Sequence, residues 1–196
     1  MLFILVQWLA FVLLSSLLLL TGCSDQPATF RGSDIAGTKL GQQWKLTDMH
    51  GQMRDQSSFA GKVQLVFFGF AQCPDICPTS LSELSEAMKL LGPDADRVQV
   101  LFITVDPERD TPQIMSKYLS AFDPRFLGLT GSPEQIRQAA SSFKAFYAKV
   151  SRPGGDYTMD HSASFYLLDR KGEARVLLSN NAGAAAIAHD IKALLK

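Results

Sequence analysis

The sequence predicts an α/β domain, a central mixed sheet flanked by helices, with an added N-terminal β-hairpin. Three observations carry this. Residues 62–70 and 98–105 are apolar, β-branched and aromatic runs, the pattern of strands buried on both faces. Segments with apolar residues at helical spacing alternate with them, and that alternation implies a sheet covered by helices. Two later apolar runs are joined by Asp169-Arg170-Lys171-Gly172, a hairpin turn signal, so part of the sheet is antiparallel.

Taken in order, residues 44–46 and 52–54 flank the turn-like Asp48-Met49-His50-Gly51 and form the first hairpin. The strand at 62–70 follows. Leu81, Leu84, Met88 and Leu91 then recur at helical spacing, and Gly92-Pro93 stops that helix. After the strand at 98–105, Thr111-Pro112 opens a helix with proline at its first position. Its apolar face is Ile114, Met115, Tyr118, Leu119 and Phe122. Residues 126–129 are a short strand. Ser132-Pro133-Glu134-Gln135 is a capping-box start, leading to Ile136, Ala139, Ala140 and Phe143 at helical spacing. Residues 146–150 form a short strand, 152–156 a flexible loop and 157–162 a loop entering the next strand. Strands at 164–168 and 174–178 make the closing hairpin. Ile187, Ala188, Ile191, Leu194 and Leu195 mark a last amphipathic helix. This order, a βαβ half followed by a ββα half with extra elements, is that of a thioredoxin-like fold.

The domain lies behind an uncharged leader. Residues 1–20 are mostly apolar, enough to span a bilayer as a helix, and the first charge is Asp25. A secretory signal normally has a basic n-region, and this leader has none. Leu20-Thr21-Gly22-Cys23-Ser24 resembles a bacterial lipobox, in which Cys23 is lipidated after cleavage. The expected organisation is a leader at 1–22, a tether at 23–37 and one domain at 38–196. The alternative is an uncleaved transmembrane anchor. Either places the domain in a bacterial cell envelope, on the periplasmic side, where disulfides persist. The chain has 19 Lys+Arg and 19 Asp+Glu, and zero net charge argues against nucleic acid as a partner. Three cysteines are too few for a disulfide scaffold or a four-thiolate zinc site. With Cys23 assigned to lipid, Cys73 and Cys77 remain.

Cys73-Pro74-Asp75-Ile76-Cys77-Pro78 sits between a central strand and a helix, where sheets of this kind bind ligands. Pro78 suits only the first turn of a helix, so Cys77 lies near the cap and Cys73 in the turn before it. A thiol at a helix N-terminus gains thiolate character. Three intervening residues allow either a disulfide or convergence on one metal ion. The third ligand must come from His50, His161 or His189. His50 is in a turn and His189 is on a polar helix face. His161, in the loop entering a strand opposite the cysteine turn, is either a ligand or a polar loop histidine held by Asp160. Two thiolates and an imidazole form a soft set: thiolates favour Cu(I) and imidazole also suits Cu(II), whereas zinc usually wants a fourth ligand. Asp106 ends a central strand and is a candidate acceptor for the second nitrogen of a ligating histidine.

Residues 69–81 (Gly-Phe-Ala-Gln-Cys-Pro-Asp-Ile-Cys-Pro-Thr-Ser-Leu), 105–112 (Val-Asp-Pro-Glu-Arg-Asp-Thr-Pro), Leu129-Thr130-Gly131 and Asp160-His161-Ser162 together resemble the Sco/SenC family. The resemblance covers residues 38–196. It implies a membrane-tethered, thioredoxin-like protein that binds copper and assists assembly of the dinuclear copper centre of cytochrome c oxidase. Its copper ligands fall on Cys73, Cys77 and His161, one ion per monomer. The implied partners are the copper-centre subunit of the oxidase and a copper donor protein. The family commonly has Thr-His before the first cysteine, where this chain has Ala71-Gln72. The same two thiols also suit a thiol-disulfide reductase acting on the oxidase's copper-ligating cysteines. A peroxide-reducing enzyme fits less well, since no threonine stands two or three residues before Cys73.

Overall fold

A computed structural model describes residues 29–196. The leader, Cys23 and residues 24–28 of the expected tether lie outside it. The described chain runs β1 (Ser33–Asp34), β2 (Lys45–Asp48), β3 (Met53–Asp55), β4 (Val63–Gly69), α1 (Ile76–Leu91), β5 (Val98–Thr104) and α2 (Pro112–Ser120). It continues as β6 (Leu127–Thr130), α3 (Pro133–Phe143), β7 (Tyr147–Ser151), β8 (Tyr157–His161), β9 (Phe165–Leu168), β10 (Ala174–Leu178) and α4 (Ala184–Leu195). Eight strands form one sheet in the order β1-β10-β9-β4-β5-β6-β2-β3, and β7 and β8 pair separately. β4, β5 and β6 are parallel, with Val63 opposite Val98 and Gly69 opposite Thr104. β9 runs antiparallel to β4. This is the mixed sheet of the thioredoxin-like class, with the β2–β3 hairpin added at one edge.

The two central strands are buried on both faces because nearly every residue in them is apolar. Phe67 and Phe68 point to opposite sides. Phe67 meets Phe102 and Phe165 edge-on, while Phe68 meets Phe143 of α3 and Tyr166. Burying each such ring is worth about 1.5–3 kcal/mol. The helix starts follow their caps. The Thr111 side chain accepts from the Ile114 N–H, and Ser132 forms the full capping box with Gln135. Gly92, at φ 57°, ends α1, and Gly172, at φ 80°, makes the turn between β9 and β10.

Three expectations change. Residues 157–161 are a strand, β8, rather than loop. Ile114 points to solvent at 41% exposure, so the buried face of α2 is narrower than its spacing suggested. Residues 29–37 are not free tether. Phe30 packs on the core, β1 pairs with β10, and the N–H groups of Arg31 and Gly32 donate to the buried Asp190 carboxylate at 2.8 and 2.9 Å.

Candidate metal centre

The cysteine loop begins where β4 leaves the sheet. The Cys73 N–H donates to the Phe70 carbonyl at 3.2 Å. The Ala71 N–H donates to the Asp110 carboxylate at 3.0 and 3.2 Å. That carboxylate also accepts the Thr104 hydroxyl at 2.6 Å, so the end of β5 fixes the loop at the end of β4. Asp75 is the N-cap of α1, without a side-chain cap bond. Cys77 and Pro78 fall in the first turn, where Pro lacks only an N–H that has no helical partner. The Cys77 N–H points at Cys73 Sγ, 3.4 Å away.

The close approach of β4 to the first turn requires glycine at position 69. A Cβ there would lie 2.7 Å from the Phe102 ring and 3.0 Å from Cys77 Sγ. Cys77 is buried, Cys73 is half-buried, and both are free thiols. Their environments drive them apart. The Cys77 S–H bond to Cys73, acting against burial and helped by the N–H groups of Asp75 and Cys77, lowers the Cys73 pKa well below the usual thiol range. The same bond, together with burial, raises Cys77. Ionisation is therefore favoured on Cys73, and the proton on Cys77.

His161, the last residue of β8, completes the cluster. Its ring packs edge-on against Phe67 and Phe70, at centroid distances of 6.2 and 5.8 Å. Nδ1 lies 3.0 Å from the Ser162 carbonyl. A carbonyl only accepts, so in the neutral ring this bond assigns the proton to Nδ1 and leaves the Nε2 lone pair free. Nε2 is 3.4 Å from Cys77 Sγ. One ligand atom from each of Cys73, Cys77 and His161 lies within 4.8 Å of the others. Zinc, for scale, holds sulfur at about 2.3 Å and nitrogen at about 2.0 Å, so one ion spans such separations. The set is soft, offers three ligand atoms and is partly open, which suits copper.

The other sequence candidates lie elsewhere. His50 is exposed in its turn, and His189 Nδ1 faces Asp190 Oδ1 at 2.8 Å. Asp160 is exposed on β8. Asp106 is buried, but the structure pairs it with Arg109 Nε at 2.5 Å and with the Tyr157 hydroxyl at 3.0 Å. The acceptor beside His161 Nδ1 is the Ser162 carbonyl instead. Asp110 is the acidic residue that sequence reasoning missed as a support of the cysteine loop. Its burial raises its pKa.

A family model described as SCO1/SenC matches residues 33–196. A "SCO2-like protein" of Rickettsia felis is 41% identical over 137 residues, 69% of this chain and 67% of the relative. The structure of Bradyrhizobium japonicum ScoI with copper bound aligns with a TM-score of 0.75 at 45% identity, covering 80% of this chain and 99% of that one. BsSco, described as a member of the Sco family of cytochrome c oxidase assembly proteins with a disulfide switch, aligns with a TM-score of 0.66 at 25% identity, covering 83% of this chain and 96% of that one. A match that starts with β1 and runs through α4, joined by relatives of this identity, means that the chain belongs to the SCO1/SenC family.

Proposed function

We propose that this protein is a copper metallochaperone for the dinuclear copper centre of cytochrome c oxidase, with Cys73, Cys77 and His161 holding one copper ion as cargo. The observation that carries the reading is the convergence of two cysteine sulfurs and one imidazole nitrogen within 4.8 Å. Copper bound to the Bradyrhizobium relative, and the oxidase-assembly description of BsSco, support it. The partners are the copper-centre subunit and a protein that supplies copper. Lipid on Cys23, or an uncleaved leader, ties the domain to the membrane of the bacterial envelope. Among the described residues no helix is long and apolar enough to cross a membrane. Oxidation of the two copper-bound thiolates to a disulfide, which passes two electrons to an external disulfide and splits it into two thiolates, removes both sulfur ligands and releases the ion.

Anaerobic titration of the reduced protein with Cu(I) and Cu(II) tests this. One equivalent binds, and Cys73→Ala and His161→Ala each weaken it. Unchanged affinity in either variant assigns the site elsewhere. The lowered pKa of the half-buried Cys73 also favours thiol-disulfide exchange on the oxidase's copper-ligating cysteines. His161→Ala separates the readings: exchange survives it and Cu(II) affinity does not.

A further inference from the structure

We infer that the pole of the sheet opposite the cysteine pair is a contact surface for anionic phospholipid headgroups, and that this contact turns Cys73, Cys77 and His161 away from the bilayer. The inference rests on the reading of residues 1–23 as the membrane attachment.

The two poles are set by the direction of the central strands. β4 and β5 start side by side, with Val63 opposite Val98, and end beside the cysteine loop at Gly69 and Thr104. Seven residues of strand cover about 20 Å. The turn between β9 and β10 lies at the starting end, since Leu168 pairs with Gln64. The end of α4 lies there too, because the Leu195 carbonyl accepts from Arg97, next to Val98. These segments surround an open groove of about 500 Å³, whose lining includes Phe30, Arg170, Lys171, Arg175 and Lys196.

The groove is basic in a chain with no net charge. Arg31, Lys62, Arg170, Lys171 and Lys196 are exposed around it. The acidic groups at this pole are Asp169, which faces Arg175 at 3.4 Å, Asp94, which pairs with Arg97 at 3.1 Å, and exposed Asp96 and Glu173. Arg175 Nε is buried and has no hydrogen-bond partner among the described residues.

The length of chain outside the structure selects the occupant. Phe30 lines this groove, and six residues, 24–29, separate it from Cys23. Fully extended, they reach at most about 25 Å. An attachment at Cys23 therefore keeps the basic pole near the headgroups. There, within about 10 Å at 0.1 M salt, the charges act on an anionic surface. The metal centre is left at the far end of the sheet, facing a partner rather than lipid.

Lysine acetylation of the full chain, read by mass spectrometry, tests the contact. The chain is held in vesicles of phosphatidylcholine alone, or of phosphatidylcholine with phosphatidylglycerol. In the anionic vesicles Lys62, Lys171 and Lys196 are labelled several-fold more slowly, and labelling recovers in about 1 M salt, where screening shortens to about 3 Å. Lys144, beside the β7–β8 pair, is labelled equally in both. The double variant Arg170→Glu/Lys171→Glu, on an exposed turn, returns Lys62 and Lys196 to their rates in neutral vesicles. Equal labelling of the wild type in both vesicles overturns the contact surface. A chain that fails to sediment with neutral vesicles overturns the attachment reading itself, which separates the two failures.

Discussion

The two cysteines, identical in sequence chemistry, are made unequal by their neighbours. Cys73 accepts hydrogen bonds and is half-buried; Cys77 donates to it and is buried beside Gly69. A lowered pKa means that Cys73 stays ionised as pH falls through the range where an ordinary thiol, with pKa about 8.5, takes up its proton. In the metal-free, reduced protein the alkylation rate of Cys73 should hold nearly constant from about pH 8 to about pH 6. An ordinary thiol slows roughly tenfold per unit below its pKa. Cys77 should remain unlabelled. Mass-spectrometric rates at several pH values check this, and a Cys73 rate that climbs tenfold per unit contradicts it. At this scale the pair was legible because both cysteines and Pro78 stand together between one strand and one helix. His161 was legible as one of only three histidines. Asp110 was not: it stands beside Arg109 in the sequence, yet Arg109 turns to Asp106 and Asp110 turns inward to Ala71 and Thr104.

His161 depends on a two-stranded ribbon that belongs to no larger sheet. Among the described residues β7 and β8 pair only with each other, and an isolated hairpin is marginally stable in water. A polar clasp holds it to the loop between β5 and α2. The Tyr157 ring meets two cations, the Arg109 guanidinium 3.7 Å from its centroid and the Lys149 ammonium at 4.0 Å. Its hydroxyl donates to Asp106, and Arg109 Nη1 donates to the Tyr157 carbonyl at 3.0 Å. Asp106 thus acts through Tyr157 and Arg109 on the position of the strand, rather than on the imidazole. Arg109→Lys keeps the charge but loses the planar fork and the flat stacking. It should weaken Cu(II) binding more than Cu(I) binding, because two thiolates still satisfy Cu(I) while Cu(II) needs the imidazole. Competition titrations of the two ions, with the thiolate-to-Cu(II) absorption followed in parallel, measure the difference. Equal losses for both ions would mean that the clasp only supports folding. β8 escaped sequence reading because Met159 is its only buried side chain. A strand paired outside the core has no apolar alternation to display.

The molecule as a whole is closed at one edge by the segment that reads as tether. Residues 29–37 carry no strand pattern, which is what an exposed edge strand of two residues presents. The central strands, buried on both faces, could not be mistaken, and the capped helices followed from their first residues. The edge is recognisable only from its partners. Asp190 on α4 is fully buried and receives the N–H groups of Arg31 and Gly32, while the Ile35 N–H donates to the Arg175 carbonyl at 2.9 Å. Removing residues 1–37 therefore leaves a buried carboxylate without its two backbone donors and exposes the edge of β10. Hydrogen bonds to charged groups contribute about 1.5–3 kcal/mol each, so this deletion should cost on the order of 3 kcal/mol. Removing only residues 1–28 should cost little. Asp190→Asn, which keeps the acceptor and loses the charge, should fall between them. Urea unfolding of the three proteins, compared by midpoint at constant slope, decides it. If the two deletions unfold together, β1 is an ornament of the edge and the domain begins at residue 38; if they separate, the fold begins at Phe30. A fold that begins there leaves the basic pole only six residues from Cys23.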